Sequence, residues 1–170
     1  LDVVIHEGAR LQEMAMSLYP MARPEELDFS EVVRERFLIN EEAIREQKRA
    51  GIQIDATDLA PGLQVCTWKL ALERVLDNLL NNATKAIPAQ GGTLSLRTFA
   101  RGGMAHLEIT NSGRIPQEEI SRILSADVAG RGLNIVYRFV RSMGGQVDIQ
   151  VDDGSDVTTF RISLPLLESG

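Results

Sequence analysis

Asn78 and Asn82 stand four residues apart within the run Glu73-Arg74-Val75-Leu76-Asp77-Asn78-Leu79-Leu80-Asn81-Asn82-Ala83-Thr84-Lys85-Ala86-Ile87. On a helix, residues four apart lie one above the other, so the two carboxamides share a face, with Lys85 one turn further on. Asparagine is a mediocre helix former, because its amide competes for backbone hydrogen bonds. Asparagines in the middle of a strongly amphipathic helix are the kind of local misfit that functional sites produce. Carboxamide oxygens are neutral ligands for a hard cation, and a nearby ammonium suits phosphate. A polar helix face turned to solvent accounts for the same residues, and the helix alone does not separate the two readings.

Two further segments could do chemistry. Asn111-Ser112-Gly113 ends a strand-like run. A side-chain amide there can hold the edge of a flat ring, and a glycine lets a ligand approach the backbone. Gly130-Arg131-Gly132-Leu133-Asn134-Ile135-Val136 opens a helical pattern. Glycines at a helix start leave N–H groups at the positive end of the dipole, which suits phosphate. Taken singly, such glycines more often make a plain turn.

These residues need elements to hold them. Val75, Leu76, Leu79, Leu80, Ala83 and Ile87 recur at helical spacing and predict one buried stripe, with Thr67 as the helix cap. Before it, Ser30 is expected to cap a helix reaching about Ala50, with Val33, Phe37, Leu38 and Ile44 buried and Gly51 ending it. Short strands are expected at 27–29, 52–55 and 63–66. Residues 93–99 and 105–110 alternate across Arg101-Gly102-Gly103 and predict a hairpin, with His106 on its polar face. A short helix at about 117–124, a brief loop, a helix ending near Met143, and strands at 146–151 and 157–164 complete the order. It predicts an α+β two-layer sandwich: a mixed sheet with helices on one face.

At the start, Leu1, Val4, Ile5, Gly8, Leu11, Met14, Ala15 and Leu18 predict a helix over 1–19, stopped by Pro20 and Pro24. Such a stripe calls for a partner helix, as in a helical hairpin or dimer seam. The chain begins at Leu1 inside this pattern, which suggests a piece of something longer.

Composition narrows the function. The 170 residues are 44% apolar and carry a formal charge of −6. That apolar share supports a real core. The charge argues against a nucleic-acid surface or a polybasic membrane contact, so any phosphate site must be built locally. No stretch has membrane-spanning length and no signal peptide is evident. The lone Cys66 gives no disulfide framework and reads as a small buried residue, which fits a reducing, cytoplasmic setting.

In their order and spacing, the three segments resemble the ATP-binding catalytic domain of sensor histidine kinases, within the gyrase and histidine-kinase ATPase superfamily. Residues 78–86 look like the N box, 111–113 like the G1 box and 130–136 like the G2 box. Gly144-Gly145-Gln146-Val147 and Thr158-Thr159-Phe160 ahead of Leu164-Pro165 are also family-like. The resemblance runs from about Leu27 to Pro165 and implies a Bergerat-type fold that uses ATP and Mg²⁺. It implies that Asn82 coordinates Mg²⁺ with Asn78 in support, and that Lys85 contacts phosphate. Asn111 is expected to accept a hydrogen bond from the adenine amino group, with Gly113 and Thr158 beside it. Gly130, Arg131, Gly132 and Leu133 are expected to line the phosphate end.

Residues 1–24 resemble the second helix of the dimerisation hairpin, which leaves 25–170 as the catalytic domain. The resemblance implies a homodimer formed through that helix, a response regulator as partner, and a phospho-accepting histidine on a first helix that this chain lacks. His6 lies in the wrong helix to be that acceptor.

The departures from the family pattern carry their own expectations. Asn78 stands where superfamily ATPases have a glutamate that activates water. An amide is no general base, so hydrolysis should be poor and ATP held for transfer. Asn111 replaces the usual Asp, keeping an acceptor oxygen without the charge. The second G1 glycine is missing, Arg122-Ile123-Leu124 carries no Phe, and the lid before Gly130 is short. These favour a degenerate, non-nucleotide-binding adaptor or phosphotransfer scaffold of the same fold, whereas intact Asn78, Asn82 and Lys85 favour a kinase. An anti-sigma-factor type serine kinase shares the fold but lacks the hairpin suggested by the first helix.

Overall fold

The computed structural model describes residues 23–48, 51–124, 133–152 and 154–168, with the side chains of 119, 122–124 and 133–135 left aside. The helix expected over 1–19, His6 and the run Gly130 to Gly132 lie outside the described residues.

The chain order is β1 (Glu25–Asp28), α1 (Phe29–Gln47), β2 (Ile52–Leu59), β3 (Gln64–Thr67), α2 (Lys69–Ala86), β4 (Gly92–Arg101), β5 (Met104–Ser112), α3 (Gln117–Leu124), α4 (Leu133–Ser142), β6 (Gln146–Asp152) and β7 (Val157–Pro165). Five strands form one sheet in the order β2-β4-β5-β7-β6. The β2–β4 pair is parallel and the others antiparallel, so the sheet is mixed as expected. The parallel pair needs a long crossover, which α2 provides. β1 and β3 pair separately, joined to the main sheet by a bridge from Val65 to Leu166.

Strand alternation separates core from solvent. Leu94, Leu96, Ala105, Leu107, Ile109, Phe160, Ile162 and Leu164 are buried. α2 packs against β5, and α4 against β6 and β7. On the opposite face, Asp58, Arg97, Glu108, Arg161 and Asp148 stand in one register row across all five strands. Their charges alternate, with Arg97 3.3 Å from Asp58 and Arg161 3.0 Å from Glu108. Opposite charges across neighbouring strands stabilise pairing modestly and suit a solvated face. His106 lies half-buried on that face, its ring stacked on Phe99 at 4.9 Å.

The predicted stripe of α2 is buried at every position from Val75 to Ile87. Some local expectations are corrected. Asp28, not Ser30, caps α1, its Oδ1 accepting from the Glu31 N–H at 3.1 Å. Ser30 is buried inside the helix, where its hydroxyl donates to the Ala60 carbonyl and meets Thr98 Oγ1. Trp68, not Thr67, is the cap residue of α2 and makes no side-chain cap bond. Leu38 is 60% exposed, because Phe29, Val32, Val33, Phe37 and Ile44 already fill the inward face of α1. Cys66 is exposed, because the short strand turns Val65 and Thr67 inward and leaves the residue between them outside.

α1 and α2 are joined by an ionic fork that periodicity cannot show. Arg36 donates Nε and Nη2 to the two Asp77 carboxylate oxygens at 3.0 and 2.7 Å, and Nη1 to Glu73 at 2.8 Å. Asn40 Nδ2 adds a bond to Asp77 at 3.0 Å. The hydrogen bonds to Asp77 raise the Arg36 pKa above its ordinary value, despite an opposing desolvation effect. Bidentate pairs between charged partners are the stronger kind. The Arg36 side chain is only 19% exposed, so truncation would leave two carboxylates short of donors. Arg36→Met should cost about 1–3 kcal/mol in urea denaturation. A loss below about 0.5 kcal/mol would mark the fork as an ordinary surface pair.

Candidate nucleotide site

The amphipathic pattern of α2 buries its leucines and leaves Asn78 and Asn82 half-exposed on one side. Each amide bonds back along the helix. Asn78 Nδ2 donates to the Arg74 carbonyl at 2.9 Å, and Asn82 Nδ2 to the Asn78 carbonyl at 2.8 Å. A carbonyl only accepts, so each amide presents its nitrogen to the helix and keeps Oδ1 as the uncommitted atom. Two acceptor oxygens therefore stand one turn apart, with no other partner among the described residues. Lys85 is exposed in the last turn.

Asn111, at the end of β5, is fully buried. It stands opposite Thr158 of β7 in the ladder. Its Nδ2 donates to the Ser112 carbonyl at 2.9 Å, which again fixes the amide orientation. The remaining Oδ1 is buried and has no partner among the described residues. A buried acceptor without a donor costs about 1–3 kcal/mol, and its survival in a native site calls for an explanation such as a ligand.

Gly113 ties this strand end to the asparagine helix. Its φ is +103°, and a Cβ there would lie 2.0 Å from the Ala86 carbonyl oxygen. Only glycine allows β5 to end this close to the C-terminal turn of α2. The Gly113 N–H donates to the Asp156 carbonyl at 2.7 Å, and Thr158 Oγ1 donates to the Gly113 carbonyl at 2.7 Å. Asn111, Gly113 and Thr158, separate in the chain, thus form one bonded unit beside the end of α2. Gly130, Arg131 and Gly132 lie outside the described residues. Leu133 begins α4 directly after them.

Sequence reasoning missed Asp156, Arg36 and Asp77. The Asp-rich turn before β7 was a visible signal for Asp156, whereas nothing local marks the other two. Among the described residues, no three His, Cys, Asp or Glu side chains come together to hold a metal.

A mixed sheet with helices on one face, an asparagine pair on the central helix and a buried acceptor at the neighbouring strand end define an ATPase-type nucleotide domain. The family model for the histidine kinase-, DNA gyrase B-, and HSP90-like ATPases matches residues 69–168, and the chain belongs to that family. Proteins similar to it include sensor histidine kinases. GlrK of Escherichia coli (strain K12) is 33% identical over 109 residues, covering 56% of this chain and 22% of that protein. The alginate biosynthesis sensor protein KinB of Pseudomonas aeruginosa is 26% identical over 163 residues, covering 91% of this chain and 26% of that protein. The chain thus spans only 22% and 26% of the length of these two relatives. Among solved structures, the mycobacterial sensor histidine kinase MprB is similar at 27% identity and a TM-score of 0.68, over 84% of this chain and 97% of that one. The ThkA catalytic domain shares the fold at a TM-score of 0.73 with 23% identity, over 85% of this chain and 98% of that one. The family resemblance drawn from the motifs and the expected α+β sandwich are both borne out.

Proposed function

We propose that this chain is the ATP-binding catalytic portion of a two-component sensor histidine kinase, transferring the γ-phosphoryl group of ATP to a histidine for relay to a response regulator. One observation carries the reading: the buried Oδ1 of Asn111, which has no partner among the described residues while Nδ2 is held by the Ser112 carbonyl. An adenine amino group is a donor of the kind that oxygen lacks. Gly113 lets β5 end against the Ala86 carbonyl beside that oxygen rather than opening a path for a ligand, and Thr158 steadies the Gly113 peptide.

The residues present also fit magnesium. Asn82 and Asn78 offer neutral oxygens, the ligand type a hard cation takes, and a Mg²⁺ site of few protein ligands suits an ion that keeps water and substrate phosphates. When bound, magnesium neutralises charge on the phosphates. Lys85 supplies an ammonium for the same phosphates. By family resemblance Gly130, Arg131, Gly132 and Leu133 line the phosphate end.

With an amide at position 78, no carboxylate stands at the position from which superfamily ATPases activate water, so water attack is slow and transfer relies on positioning and charge. His106 stacks on Phe99 on the sheet face away from the helices and is not the acceptor. We assign residues 1–24 to the second helix of a dimerisation hairpin and 25–170 to the catalytic domain, with the homodimer formed through the former. The ThkA fold is also known in complex with the response regulator protein TrrA, which supports a regulator as partner here. No helix of the described residues is long and apolar enough to cross a membrane, in keeping with a cytoplasmic site of action.

A thermal melt with and without MgATP tests the reading. Millimolar nucleotide at a micromolar-range site should stabilise the fold by about 3–4 kcal/mol, a rise of several degrees. A folded sample with no shift would favour the non-nucleotide adaptor.

A further inference from the structure

We propose that Asp156, in the turn between β6 and β7, is a positioning residue that sets the adenine selectivity of the site; the proposal rests on the nucleotide reading above. Asp156 is the one non-glycine with positive φ among the described residues, at +56°. Asp, Asn and Gly tolerate the left-handed region, whereas a β-branched residue is a genuine outlier there. This backbone turn presents the Asp156 carbonyl to the Gly113 N–H at 2.7 Å. Two residues later, Thr158 Oγ1 takes the Gly113 carbonyl at 2.7 Å. Both polar groups of Gly113 are therefore held by the β6–β7 hairpin, while the Ala86 carbonyl blocks its other side.

The constraint reaches the acceptor through a short chain of bonds. Holding Gly113 holds the Ser112 carbonyl that precedes it. That carbonyl orients the Asn111 amide at 2.9 Å, and the orientation leaves Oδ1 rather than Nδ2 as the atom without a partner among the described residues. A flipped or rocking amide would offer N–H instead, and would then welcome a 6-oxo purine. Asp156 touches none of these ligand-facing atoms, so it acts through Gly113.

The turn is braced without help from the site. The Asp156 N–H donates to the Asp152 carbonyl at 3.0 Å. The Asp152 carboxylate accepts from Ser155 Oγ at 2.7 Å and from the Gly154 N–H at 2.9 Å. The Ser155 hydroxyl, then the Gly154 N–H, hold the Asp152 carboxyl below the usual range. The Asp156 side chain lies 3.6 Å from Arg114 Nε, an exposed pair that contributes little, so backbone conformation is what the position supplies.

The test compares affinities of the whole chain for MgATP and MgITP, whose base carries a 6-oxo group. Wild type should prefer ATP. Asp156→Val should narrow that ratio about tenfold, mainly by weakening ATP, because a polar site discriminates through the geometry of its hydrogen bonds. Asp156→Asn and Asp156→Gly, which keep the left-handed turn, should restore the ratio. Gly113 amide exchange in the nucleotide-free protein should quicken in the valine variant alone. If the valine variant does not fold, Asp156→Ala is read in its place. General loosening would weaken both nucleotides equally, so an unchanged ratio in a folded valine or alanine variant overturns the role of Asp156 and leaves the nucleotide reading standing. Wild-type protein that binds neither nucleotide overturns both.

Discussion

Asn82→Ala is expected to remove the magnesium dependence of nucleotide binding and to cut phosphoryl transfer by two to three orders of magnitude, roughly the loss seen on deleting one charge-stabilising group. Asn82 Nδ2 is spent on the Asn78 carbonyl at 2.8 Å, which leaves Oδ1 as the only side-chain atom free for a cation. No carboxylate cluster among the described residues can take over. The fold should not suffer. Alanine is the better helix former by about half a kcal/mol, which roughly offsets the lost back-bond. Titration of nucleotide with and without magnesium separates the effects, and transfer can be read on an acceptor histidine supplied in trans. Retained magnesium dependence would take Asn82 out of the site.

The second large effect concerns Asn111→Leu, which should lose at least about a hundredfold in ATP affinity while the nucleotide-free protein melts no lower than wild type. The position is fully buried, and its Oδ1 lacks a donor among the described residues. An apolar side chain of similar volume removes that unsatisfied acceptor, which offsets loss of the single bond to Ser112. Binding should respond in the opposite sense, because a ligand amino group would then meet hydrocarbon. Such opposed changes in stability and function mark a site that keeps a polar group for its ligand. Calorimetric melting paired with ATP titration gives both readouts. Unchanged ATP affinity would show that Oδ1 is not the adenine acceptor.

The asparagine helix was legible because helical period is a local property. Its stripe and the shared face of Asn78 and Asn82 follow from spacing alone, whereas its cap, Trp68, lies one residue beyond the expected Thr67. The hairpin of β4 and β5 was legible for the same reason, since strict alternation meets a Gly-Gly turn. The family motifs added the order of these pieces. Where two local signals competed, the sequence could not rank them. Asp28 and Ser30 are both good caps, and the choice fell to Asp28 because Ser30 finds Ala60 and Thr98 in the core. Cys66 sits in an apolar run, yet the register of β1 with β3 turns it outward.

Spacing along the chain thus foretold which residues gather on a face, and motif order pointed to the faces proposed here for the nucleotide. It could not foretell which atom of each amide is left over. That depends on carbonyls four residues back along α2, on the Ser112 carbonyl at the end of β5, and on a turn 43 residues beyond Gly113 that grips it at 2.7 Å. Periodicity is set by neighbours in sequence, whereas a hydrogen bond is set by neighbours in space, and these are brought together when the sheet assembles.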